Sequence, residues 1–125
     1  MSRKVLVIDD EEAIIIVLKA SLEATTDWQV ITCSSATKGI AIATTERPDA
    51  VLLDVSMPKV DGTQVFKALQ AEALTQNIPV IFLTAKARVS EQQILKALGV
   101  SGIILKPFSP ETIAAQIKEI LGWKD

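Results

Sequence analysis

Ala50-Val51-Leu52-Leu53-Asp54 is an aliphatic run closed by a single carboxylate. An apolar run this short, with no polar alternation, suits a strand buried on both faces, and such strands belong to parallel sheets covered by helices on either side. The same signature recurs at residues 5–8 and 79–83, while residues 29–32 and 102–105 read as two further strands. A segment of helical period follows each of the five. The alternation predicts a (βα)₅ chain, an α/β domain built on a doubly wound five-stranded parallel sheet.

Local signals mark the expected helix ends. Asp61 with Gln64 and Ser90 with Gln93 have the spacing of a capping box, and Ser109-Pro110 pairs an N-cap with proline at the first helical position. Gly99 and Gly122 fall just past helical segments, where a left-handed residue often closes the helix. On the first helix, steps of about 100° per residue gather Ile14, Val17, Leu18 and Leu22 into one inward stripe and set Ile16 about 200° from Ile14.

Length and composition narrow the function. A chain of 125 residues, 49% hydrophobic, suits one domain over 1–125 with a substantial core. Thirteen basic and fifteen acidic residues leave a formal charge of -2, with no basic run to follow a polyanion, so direct nucleic-acid binding is not expected. The lone Cys33 has no internal disulfide partner, and no signal-peptide pattern opens the chain, which points to a reducing, cytoplasmic setting. The longest apolar stretch, 13–18, falls far short of the roughly 20 residues a membrane span needs, so no membrane association is expected.

In an open parallel sheet the functional crevice lies beyond the carboxyl ends of the strands, where the strand order reverses. The residues at those ends are Asp9, Asp10 and Glu11 after the first strand, Asp54 after the third, Thr84 after the fourth and Lys106 after the fifth. Singly, each has an ordinary explanation: a strand-end Asp forms turns or caps a helix, Glu11 and Glu12 complement a helix dipole, Thr84 is a strand-end hydroxyl and Lys106 a solvated surface lysine. Together they describe a site. Crowded carboxylates repel by about 4 kcal/mol per pair at 4 Å in an effective dielectric near 20, so they protonate, splay or hold a cation. With oxygen donors and no His or Cys cluster, that cation is expected to be Mg²⁺, with Mn²⁺ as a substitute. Beside it, Asp54 has the makings of a carboxylate nucleophile toward phosphorus, with Lys106 and the metal sharing the charge of the transferring group.

At this point the chain resembles the receiver domain of two-component response regulators of the chemotaxis-regulator type. The resemblance rests on residues 4–11 with their acidic pair, on 48–58 followed by Asp61-Gly62, on 79–85, and on Lys106-Pro107-Phe108. It implies a flavodoxin-like fold with strand order 2-1-3-4-5, and a signalling domain that catalyses only its own phosphorylation and dephosphorylation. Asp54 would accept a phosphoryl group from the phosphohistidine of a histidine kinase or phosphotransfer protein. Asp10, Asp9 through water, Asp54 and the backbone carbonyl of Ser56 would hold Mg²⁺. Lys106 would pair with Asp54 or the phosphoryl group, Thr84 would move toward the phosphoryl oxygens, and small Ala85 would leave them room. The Lys106–Pro107 peptide would be cis. Ser56 and Lys86 occupy positions where family members tune how fast the phosphoryl group is lost. An output domain or effector of unknown kind would read the switch, and a homodimer through the face of the fourth helix, fifth strand and fifth helix belongs to the same expectation.

Two positions depart from the family pattern. Ile103 stands where an aromatic residue commonly reports on the threonine, and its stiff aliphatic side chain has no ring to swing. Ile16, on the outward face of the first helix, becomes with Ile15 a candidate contact for the phosphodonor, since that helix helps dock the donor in the resembled family. Two other function classes fit less well. An aspartyl-phosphate phosphatase would resemble Asp-x-Asp after the first strand rather than Asp9-Asp10-Glu11, and a flavodoxin-like cofactor module would need a phosphate-cradling loop where carboxylates stand.

Overall fold

Side chains alternate across a strand, so a strand buried on both faces must be apolar at every position. Val5 and Val7 point into one layer with Leu18, Leu22, Ile113 and Ile117, while Leu6 and Ile8 point into the other with Val65, Phe66, Leu69 and Leu95. The computed structural model of the chain describes residues 3–55, 61–85 and 88–124. Its elements run β1 (Lys4–Ile8), α1 (Glu12–Thr25), β2 (Gln29–Cys33), α2 (Ala36–Glu46), β3 (Ala50–Asp54), α3 (Gly62–Ala71), β4 (Val80–Thr84), α4 (Val89–Lys96), β5 (Gly102–Leu105) and α5 (Ile113–Leu121). The strands form one parallel sheet in the order β2-β1-β3-β4-β5, as expected. Helices α1 and α5 cover one face, and α2, α3 and α4 cover the other. The three strands read as most apolar, β1, β3 and β4, are the interior ones.

Edge strand β2 shows how the sheet border is closed. Val30 has its amide and carbonyl turned away from β1. Glu23 of α1 accepts from the amide at 3.3 Å, and Lys19 donates to the carbonyl at 2.9 Å, the two side chains themselves pairing at 3.2 Å. An i,i+4 ion pair thus occupies backbone groups that a second strand would otherwise find. At the amino-terminal end of the sheet, Trp28 and Trp123 meet edge to face at 5.2 Å, and the Arg3 guanidinium lies 4.1 Å from the Trp123 ring centre. This contact ties the segment after α5 to the starts of β1 and β2.

Several helix ends depart from the sequence expectation. Asp61 does cap α3, accepting from the Thr63 amide at 2.8 Å, and Gly122 closes α5 at φ 70°. Gly99, at φ 102°, follows the turn after α4. Ser90 is not an N-cap: α4 starts one residue earlier and Arg88 holds the cap position without a side-chain hydrogen bond. Ser109-Pro110 opens a turn instead of the regular helix, with the Ser109 carbonyl accepting from Thr112 and Ile113, and α5 begins at Ile113. Helix α2 ends at the C-cap Arg47, in the left-handed region at φ 47°, and Pro48 after it disfavours continuation of the helix through Arg47. Val17, expected on the inward stripe of α1, is 41% exposed, because it borders the open cleft beside Phe108.

Gly62 fixes how closely α3 approaches the end of β3. A Cβ at this residue would lie 2.3 Å from the Asp54 carbonyl oxygen and 2.7 Å from the Val55 Cα, and the Gly62 amide donates to the Val55 carbonyl at 2.9 Å. The neighbours are backbone and cannot rotate away. Gly62→Ala is therefore expected to cost about 2–3 kcal/mol in urea unfolding, more than an ordinary surface substitution, through displacement of the β3 terminus.

Candidate functional site

The order of strands places the site. From β1 the chain crosses to β2 on one side and returns to β3 on the other, so the segments after β1 and β3 diverge and leave a crevice at their carboxyl ends. Ile8 pairs with Leu53, which brings Asp9 beside Asp54 one step further along the ladder. The Asp9 amide donates to the Cys33 carbonyl at 3.1 Å, prolonging the β1–β2 ladder and fixing the Asp9 backbone. On the far side, Thr84 pairs with Leu105, and the Lys106 amide donates to the Thr84 carbonyl at 2.8 Å. Asp54 and Thr84 are the last residues of their strands rather than the first of the following loops.

Lys106 reaches across the crevice. Its Nζ lies 2.9 Å from Asp9 Oδ2, 3.2 Å from Asp54 Oδ1 and 3.7 Å from Glu11 Oε1. Asp9, Asp54 and Thr84 are all buried, and the Lys106 side chain is 13% exposed. Carboxylate oxygens of Asp9, Asp10 and Asp54 lie within 4.8 Å of one another. The residues expected to share one centre do so: Asp10, Asp54 and Lys106 converge, and Thr84 sits at the neighbouring strand end. The Lys106–Pro107 peptide is cis. Ala85 is exposed just past β4. Ser56 and Lys86 lie outside the described residues. Ile103 is half-buried on β5, against the layer that contains Phe82 and Leu95, and Ile15 and Ile16 stand apart on α1, half-buried and 66% exposed respectively.

Burial pushes the Asp9 carboxyl above the usual carboxylate range, with the Asp54 charge adding to the effect, while hydrogen bonds from the Glu11 amide and Lys106 oppose it. Burial acts against the Lys106 charge as well, yet the hydrogen bond to Asp9 and the charges of Asp54 and Asp9 outweigh it, so the ammonium titrates above the ordinary lysine range. Asp9 has both oxygens engaged: Oδ1 accepts from the Glu11 amide at 2.9 Å and Oδ2 from Lys106. Neither this double engagement nor the place of Glu11 was legible in the sequence. Sequence position alone makes Glu11 a dipole-complementing residue of α1. It holds the N-cap position without a side-chain cap hydrogen bond and faces Lys106.

The family model for the response regulator receiver domain matches residues 5–118. The chain belongs to the response regulator receiver family. It is 40% identical over 121 residues to the alkaline phosphatase synthesis transcriptional regulatory protein PhoP of Bacillus subtilis, covering 97% of this chain and 49% of that protein. It is 36% identical over 119 residues to the probable transcriptional regulator ycf27 of Cyanophora paradoxa, covering 95% of this chain and 48% of the relative. The chain thus spans about half the length of these curated relatives. Among solved structures, the chemotaxis response regulator CheY4 of Vibrio cholerae superposes with a TM-score of 0.88 at 28% identity, covering 96% of this chain and 99% of that one. Receiver domains are phosphorylated on an aspartate in two-component signalling, bind Mg²⁺ at an acidic pocket, and interact with histidine kinases or phosphotransfer proteins and with output domains. They are signalling modules rather than enzymes with an external substrate. No helix among the described residues is long and apolar enough to cross a membrane.

The receiver's acidic pocket has a measurable signature. A carboxyl whose native pKa exceeds its unfolded value favours the native state at low pH, and that contribution is lost as pH rises from about the ordinary 3.8 through the raised value. The charged Asp9 therefore burdens the native protein at neutral pH. Asp9→Asn is expected to raise the metal-free melting temperature at pH 7 by roughly 2–5 °C, and the gain should shrink as pH falls through that window. Differential scanning calorimetry across pH checks both points; a lower melting temperature for the variant at pH 7 would refute them.

Proposed function

We propose that residues 1–125 act as one receiver unit in which Asp54 is the phosphoacceptor. The observation that carries this is the Lys106 ammonium at 3.2 Å from Asp54 Oδ1, on a carboxylate flanked by Asp9 and Asp10 at the strand-order reversal. In the reaction, an Asp54 oxygen forms a bond to phosphorus as the P–N bond of a donor phosphohistidine breaks, the electron pair leaving with the imidazole nitrogen. Lys106 offsets charge on the transferring group and on the aspartyl phosphate that results. Thr84 offers a hydroxyl at the adjacent strand end, and Ala85 presents only a methyl group where the phosphoryl oxygens need space. Loss of the phosphoryl group by attack of water at phosphorus regenerates the Asp54 carboxylate, so the unit would catalyse its own dephosphorylation as well.

The donor set fits Mg²⁺, or Mn²⁺ in its place: three carboxylates close together, all hard oxygen donors. Asp10 and Asp54 are the direct ligands in this reading, with the Ser56 carbonyl as a further one. Asp9, whose oxygens already accept from Glu11 and Lys106, suits a contact through water. When bound, the ion would supply positive charge to the phosphoryl oxygens in addition to that of Lys106.

Ile103 in place of a mobile ring leaves the output face to transmit the switch by packing. Val89, Ile94 and Leu105 expose apolar surface on α4 and β5, which supports this face as the contact for an output partner or for a second receiver in a homodimer. Ile16, with Ile15 beside it, is the proposed donor contact on α1. We place the unit in the cytoplasm, where histidine kinases present their phosphohistidine and where Cys33 remains a thiol.

Incubation with acetyl phosphate and Mg²⁺ is expected to give one phosphoryl adduct by intact-protein mass spectrometry, absent in Asp54→Asn. An adduct that persists in Asp54→Asn moves the acceptor elsewhere. Ile16→Glu should slow transfer from the cognate kinase by about tenfold, the scale on which one buried apolar contact contributes to binding, and leave acetyl phosphate labelling unchanged. An unchanged kinase rate removes the donor contact from Ile16.

A further inference from the structure

Glu11 joins two features that the proposed phosphotransfer leaves unconnected. It is the third carboxylate on Lys106, at 3.7 Å, and its side chain is 62% exposed where Asp9 and Asp54 are buried. It also forms the charged wall of an open, otherwise apolar cleft of about 220 Å³ bounded by Ala13, Ile14, Val17, Pro107 and Phe108. Its backbone is held in place, since its amide donates to Asp9 Oδ1 at 2.9 Å and its carbonyl accepts from Ile15 at 3.2 Å. Its charge complements the helix dipole, but that does not require the contact with Lys106. The residue is the N-cap of α1, a position that favours Ser, Thr, Asp or Asn, and its side chain makes no capping hydrogen bond.

Resting on the reading of Asp54 as acceptor, we propose that Glu11 is a specificity-determining residue that selects against small, free anionic phosphodonors in favour of a phosphoryl group presented by a protein seated in the adjoining cleft. Two effects of its charge act in the same direction. At the mouth of the crevice a carboxylate repels any phosphate-bearing anion that approaches alone. By engaging the ammonium from the solvent side, it also competes with that anion for Lys106. A protein donor escapes both. Its apolar surface fills the cleft, water is excluded around Glu11, and a cationic or hydrogen-bond-donating side chain on the donor satisfies the carboxylate and frees Lys106 for the phosphoryl oxygens. Specificity here comes from a repulsive element that the correct partner cancels.

The step tested is transfer from acetyl phosphate, in which the P–O bond to the acyl oxygen breaks, the electron pair leaves as acetate, and an Asp54 oxygen bonds to phosphorus. Labelling of the 125-residue chain is followed at saturating Mg²⁺ in wild type, Glu11→Gln and Asp54→Asn. The second-order rate for Glu11→Gln should exceed wild type by about threefold at low ionic strength, and the ratio should fall toward one as KCl is raised to about 0.5 M. A merely structural role for Glu11 would not produce that salt dependence. A rate for Glu11→Gln equal to or below wild type overturns the proposal, as does an enhancement that salt leaves intact. If wild type forms no adduct, or if Asp54→Asn labels as wild type does, the acceptor assignment itself fails, an outcome distinct from the two that concern Glu11 alone.

Discussion

Two buried carboxylates held beside each other by a parallel ladder are the constraint around which this protein is organised. Asp9 and Asp54 cannot separate, because the strands that carry them are paired residue by residue up to Ile8 and Leu53. Their charge is costly away from water, and one ammonium, that of Lys106, offsets part of it. With Asp10 close by, the site remains net negative. A divalent cation held by these carboxylates would relieve the repulsion and, with Lys106, would offset the charge of a phosphoryl group.

The remainder of the fold keeps those groups in register. The backbone bond from Lys106 to Thr84 ties the lysine to the strand that carries the hydroxyl, so any displacement of one bears on the other. The close approach of Gly62 to the Asp54 carbonyl fixes the end of β3 from the side of α3. Remote from this end, the Trp28–Trp123 contact and the Lys19–Glu23 pair on Val30 anchor the starts of the strands and the free edge of the sheet. Half-buried Ile103 and exposed Leu105, two residues apart, lie on the same face of β5.

Helix boundaries show where local rules lose to tertiary packing. Ser90 and Ser109 have the right chemistry for caps, yet α4 starts at Val89 and α5 at Ile113. Before α5, the turn in which the Ser109 carbonyl accepts from Thr112 and Ile113 intervenes ahead of the regular helix. Asp61 keeps its cap because the neighbouring Gly62 lets α3 start hard against β3. On α1, the angular stripe is sound for Ile14, Leu18 and Leu22, but Val17 sits at the margin of the buried arc, where the cleft beside Phe108 leaves it partly open.

By itself the sequence determined the parallel sheet, its interior strands and the convergence of Asp9, Asp10, Asp54, Thr84 and Lys106, because apolar runs with no alternation admit only double burial and residues at strand ends inherit the topology of the strands. Only the tertiary structure decided how the charges are shared. The Glu11 amide reaches Asp9 from two residues away, but the Asp9–Lys106 contact, the turn of Glu11 toward Lys106 and the apolar cleft against Pro107 and Phe108 join segments nearly one hundred residues apart. Coulombic and hydrogen-bond energies change over a few tenths of an ångström to a few ångströms, a scale that residue order along the chain does not encode.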